Sequence, residues 1–145
     1  KAIKPPIVFL TSNNTRDMGD ALKRRCLHLY IPLPDARLEE QIVAARVPDI
    51  DARLRRQMVY FVQALREIDL KKLPSISETL DWARVLVLLH AEALDAQLVR
   101  DTLNVLLKYE DDIAATQSHI ADLIRKSANA PGVANPGVAN HAPTA

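Results

Sequence analysis

The sequence predicts the last strands of an α/β domain followed by an all-α bundle, so that the chain is mostly helical overall. Three observations carry this. Ile7-Val8-Phe9-Leu10 is a short apolar run closed by Thr11-Ser12-Asn13-Asn14, the pattern of a buried strand ending in a turn. Leu27 to Ile31 is a second run, in which Leu27, Leu29 and Ile31 alternate with His28 and Tyr30. Both of its faces are partly apolar, which predicts a strand covered on both sides, as in parallel sheets. From Pro32-Leu33-Pro34-Asp35 onward, to about Lys126, the apolar residues recur at helical spacing.

The elements follow in order. Pro5-Pro6 leads into the first strand, residues 7–12. Asn13 to Asp20 is polar and turn-forming, and Ala21 to Arg25 has the length of a short helical turn. After the Pro-rich break, a helix is predicted over 36–47. It stops before Pro48 because a residue preceding proline is pushed out of the helical region. A second helix is predicted over 51–66, with Leu54, Met58, Phe61, Val62 and Leu65 on one face. Ser75-Ile76-Ser77-Glu78 has capping-box spacing and opens a helix over 76–90. That helix is apolar over a wide arc, including Trp82 and Leu86, and is expected at the centre of a bundle. Further helices are predicted at about 96–107 and 110–126, the latter with Glu110-Asp111-Asp112 in its first turn, where the helix dipole favours carboxylates. Pro131-Gly132-Val133-Ala134-Asn135 repeats as residues 136–140, a composition too poor in apolar bulk to pack, and reads as a disordered tail. The expected layout is residues 1–34 as the end of an α/β core, 35–126 as a helical domain and 127–145 as a tail.

Composition narrows the function classes. The 145 residues carry a formal net charge of +1, so no bulk field draws the chain to nucleic acid or to an anionic membrane. Cys26 is the single cysteine, which rules out an intrachain disulfide and a cysteine-based zinc site. The four histidines, His28, His90, His119 and His141, have no metal-ligand spacing. No apolar run has the length of a membrane span, and the first residues lack the apolar core of a signal peptide. A cytoplasmic protein is expected. The entry straight into a strand predicts a chain that begins inside a longer one.

Two motifs carry a resemblance. Residues 5–34, PPIVFLTSNNTRDMGDALKRRCLHLYIPLP, resemble the sensor-1 to arginine-finger region of MoxR-type AAA+ ATPases. Residues 71–86, KKLPSISETLDWARVL, resemble the start of the lid helix in the branch associated with carbon monoxide dehydrogenase maturation. The resemblance implies the end of a P-loop AAA+ core followed by a helical lid. It makes Asn13 the sensor-1 residue, with Asn14 behind it. It makes Arg25 or Arg24 the arginine finger, with Arg16 a lesser candidate. It places Ser75 at the sensor-2 position, where many relatives carry an arginine, with Lys72 or Arg84 as its substitute. These residue types suit the chemistry. A neutral amide can donate to phosphate and accept from water. A guanidinium matches phosphate oxygens, and such fingers are worth about 10³–10⁵ in rate.

By the same resemblance, the parent would hydrolyse ATP with Mg²⁺ and form a homo-oligomer, a hexameric ring. It would remodel or mature a client protein such as a metalloenzyme, beside a von Willebrand factor A-type partner. The sequence contains no GxxxxGK[ST] loop and no apolar run ending in Asp-Glu, so this chain alone is expected to be inactive. Two alternatives stay open: a DNA-acting AAA+ subunit of the clamp-loader or restriction type, and a non-catalytic helical interaction module.

Overall fold

The computed structural model describes residue 4 and residues 6–12 and 19–131. These fall in two compact units, Lys1–Pro32 and Leu33–Ala145.

In the first unit the only regular element among the described residues is α1, Asp20–Lys23, entered at Gly19 and followed by a turn in which Arg25 N–H donates to Leu22 O at 3.0 Å. The predicted strands are corrected here. Residues 6–12 and 27–32 form no strand, and no sheet exists among the described residues. The α/β fragment is therefore not the fold of this chain, whose described elements are all helical. The physical reason is that a strand is defined by a partner. Its N–H and C=O groups need a ladder, and alternating apolar residues alone supply none. The expectation that both faces of the second run are covered also fails. Ile7 and Phe9 are 85% and 87% exposed, and Leu27, Leu29, Tyr30 and Ile31 are exposed as well.

The described residues of the second unit form a bundle of six helices: α2 (Ala36–Arg46), α3 (Ala52–Leu65), α4 (Ile76–Leu88), α5 (Ala96–Leu106), α6 (Glu110–Gln117) and α7 (Ile120–Ala128). Four are started by side chains. Asp35 accepts from Leu38 N–H at 2.8 Å. Asp51 accepts from Arg53 and Leu54 N–H at 2.8 and 3.1 Å. Asp95 accepts from Gln97 and Leu98 N–H at 2.8 and 2.9 Å. Ser75 forms the predicted capping box with Glu78. Each satisfies N–H groups that the first turn leaves unpaired.

α4 is central, as expected, packing against α2, α3 and α5, and α3 shares that place. α3 packs against α2, α4 and α7 and buries Leu54, Met58, Val59, Phe61, Val62 and Leu65. α4 contributes Trp82, Ala83 and Leu86 to the same core, with the Trp82 ring tilted against Phe61 at 5.3 Å between centroids. Leu88 and Leu89, at the end of α4, are exposed. The chain leaves α4 through a Schellman motif: His90 N–H donates to Val87 O and Ala91 N–H to Leu86 O, both at 3.0 Å. His90 takes the left-handed position, φ 52°, where glycine is usual.

The single helix expected at 110–126 is two. The break at Ser118 and His119 follows from side chains that compete with the ladder. Thr116 Oγ1 donates to Asp112 O at 2.7 Å, Ser118 Oγ to Ala115 O at 3.0 Å, and His119 N–H closes a tight turn onto Thr116 O at 2.9 Å. α7 then runs to Ala128, and Ser127 and Ala130 are buried. The Pro-Gly-Val-Ala-Asn repeat from residue 132 lies outside the described residues.

Candidate functional site

The arginine pair is carried on the exit of α1. Arg24 is the C-cap residue and Arg25 follows it, and both side chains are exposed. Cys26, beside them, is a free exposed thiol. Asn13, Asn14 and Arg16 lie outside the described residues.

Ser75 is built as a helix cap. Its hydroxyl accepts from Ser77 N–H at 3.2 Å and donates to Glu78 Oε2, while its own N–H donates to the same oxygen at 3.1 Å. Burial pushes the Glu78 carboxyl up, but the hydrogen bonds from the Ser75 hydroxyl, its own N–H, Lys72 and the Ser75 N–H outweigh this and leave it below the usual range. Glu78 is therefore an anion seated at the start of α4. The remaining sensor-2 candidates have acidic neighbours. Lys72 Nζ lies 3.4 Å from Glu78 Oε1, and Arg84 Nη1 lies 2.8 Å from Asp81 Oδ1.

The ATP and Mg²⁺ implied by the resemblance can be tested against this donor set. Ser75 does not fit a phosphate: its donors are spent on Glu78, whose charge would repel one. No group of three or more His, Cys, Asp or Glu among the described residues could hold a metal ion. Of the candidates described, Arg24, Arg25 and Arg84 present exposed guanidinium groups, and that of Arg84 is paired with Asp81.

A depression of about 270 Å³ lies between α3 and α7. Its charges are paired across it and along α7: Lys126 Nζ with Glu67 at 3.3 Å, and Arg125 with Asp122 at 2.8 Å.

The polar centre that sequence reasoning missed lies inside the bundle. Glu39, fully buried, accepts four hydrogen bonds. Arg66 Nη1 and Nη2 donate to Oε2 and Oε1, each at 2.7 Å, Gln63 Nε2 to Oε2 at 2.6 Å, and Thr79 Oγ1 to Oε1 at 2.8 Å. A signal existed. Glu39 and Val43 are four apart on the buried face of α2, and Thr79 shares a face with Ala83 and Leu86 on α4. A charge on an apolar stripe marks a buried ion pair. Asp112 is a second case. It is buried in the first turn of α6 and accepts from Lys71 N–H at 2.8 Å and Lys72 N–H at 3.3 Å, holding the α3–α4 linker. Beside it, Lys71 pairs with Asp111.

No family model, curated protein or solved structure matches this chain. Among the described residues no helix is long and apolar enough to cross a membrane.

Proposed function

We propose that this chain is the C-terminal part of a MoxR-like AAA+ ATPase, supplying a helical lid and an arginine finger to a ring that spends ATP on remodelling a client protein. The observation that carries the reading is the exposure of Arg24 and Arg25 on the short turn ahead of the helical body. A finger must reach nucleotide held by another subunit, so it has to stand clear of its own chain. The lid-like segment 71–86 agrees, since it enters a capped helix at Ser75. Asn13 rests on the sequence resemblance alone. A metalloenzyme as client and a von Willebrand factor A-type partner rest on that resemblance too, as do the hexameric ring and a cytoplasmic location.

The test is made in the full-length protein. The coding sequence upstream of Lys1 is expected to contain a phosphate-binding loop, and its absence would leave the helical interaction module as the reading. Arg25→Ala is expected to abolish ATP turnover while nucleotide binding persists, because a finger acts mainly on the transition state. Arg24→Ala tells which arginine serves. Mixing Arg25→Ala subunits with Asn13→Ala subunits should recover activity that neither has alone. If nothing returns while subunits demonstrably exchange, the finger assignment fails.

A further inference from the structure

Two helices of the bundle are entered in the same way. Pro34 precedes the N-cap Asp35 of α2, and Pro74 precedes the N-cap Ser75 of α4. The carbonyl before an N-cap stands outside the helical ladder and needs another donor or water. Here both carbonyls are met by the end of α3: Gln63 Nε2 donates to Pro34 O at 3.1 Å and Arg66 Nε to Pro74 O at 2.9 Å. The same two side chains also hold Glu39. Both hydrogens of the Gln63 amide are thereby spent, one on the buried carboxylate and one on the chain entry.

We propose that Gln63 is a latch on Pro34, a positioning residue that fixes the entry of the chain into α2. The surrounding chemistry makes this effective. Proline fixes φ at residues 32 and 34, and Ile31 and Leu33, each preceding a proline, are held extended. Few soft torsions remain in this stretch, so the hold on Pro34 fixes the chain entry to α2. Glu39 keeps the latch loaded by orienting the Gln63 amide, and Arg66 performs the equivalent task at the other entry. The inference concerns the bundle alone and does not rest on the ATPase reading.

The test is Gln63→Met in the whole chain, which keeps the side chain's length and removes its donor. Hydrogen exchange is followed at Leu38 and Glu39, whose N–H groups close the first turn of α2 onto Asp35, and at Thr79, which closes the first turn of α4 onto Ser75. Exchange at Leu38 and Glu39 should accelerate about tenfold or more, while Thr79 and the α5 amide of Leu103 stay unchanged. The ¹⁵N order parameter at Leu33 should fall. An unchanged first turn of α2 overturns the proposal. So does an equal acceleration at Thr79 and Leu103, which would mean general destabilisation. Loss of folding overturns it as well, because a latch acting on the entry alone leaves the body intact.

Discussion

The indole N–H of Trp82 donates to Thr102 Oγ1 at 2.8 Å, tying α4 to α5 through two buried side chains. The Thr102 hydroxyl donates to Leu98 O at 2.7 Å, so its lone pair is free to accept from the indole. Trp82 thus packs on Phe61 and satisfies its polar edge at the same time. Thr102→Val keeps the shape and removes the acceptor. The orphaned indole N–H should cost about 1–3 kcal/mol in a urea unfolding experiment. In the double variant with Trp82→Phe, the acceptor's loss should no longer matter, so the two costs should fall short of adding.

The Glu39–Arg66 pair predicts a strong asymmetry between breaking and replacing it. Glu39→Leu strands a guanidinium whose side chain is only 7% exposed and should cost about 3–5 kcal/mol. Adding Arg66→Met should recover most of that loss, since an apolar pair removes the uncompensated charge. Unfolding midpoints of the two variants decide this directly.

His90 pays for the left-handed turn that ends α4. A side chain there costs about 1–2 kcal/mol of strain, part of which glycine's greater unfolded-state freedom cancels. His90→Gly should therefore stabilise the chain by about 0.5–1 kcal/mol, or about 2–4 °C in melting temperature. A drop in melting temperature would show that the imidazole contributes something the backbone geometry does not.

Asp51 should give the fold an acid-sensitive increment. The N–H groups of Leu54 and then Arg53 hold its carboxyl below the usual range, because they bond to the ionised form. A carboxyl depressed on folding adds stability above its unfolded value, about 3.9, and that increment is lost as pH falls through the folded value. Asp51→Asn caps comparably and does not titrate. Its unfolding midpoint should fall less than that of the native chain between pH 5 and pH 2, both measured by urea titration. Parallel curves would mean that the cap carries no charge-dependent part.

The chain by itself should release only background phosphate from Mg-ATP in a coupled assay, since the phosphate loop and the acidic pair that would hold Mg²⁺ are missing from it. Turnover that survives both Asn13→Ala and Arg25→Ala would overturn the proposed function.

What the sequence determined by itself is local. Helix identity and most boundaries follow from apolar spacing and capping chemistry over a few residues. Ser75-Ile76-Ser77-Glu78 opens α4 as a capping box, and α2 ends before Pro48 as the rule for residues preceding proline requires. The exposed arginine pair on a short turn was equally legible, because α1 depends only on its own few residues. Tertiary structure alone decided the rest, since the remaining questions concern partners distant in the chain. Ile7–Leu10 and Leu27–Ile31 have strand-like patterns, but without a ladder they are exposed and irregular. Sequence spacing placed α4 centrally in the bundle, where it packs against α2, α3 and α5; that α3 shares that place was decided by packing. Glu39 finds Arg66 across 27 positions, and Asp112 finds the Lys71 amide across 41. Burying a charge is tolerable only when its partner arrives with it. That depends on how the helices pack, a relation between distant segments that no short window of residues contains.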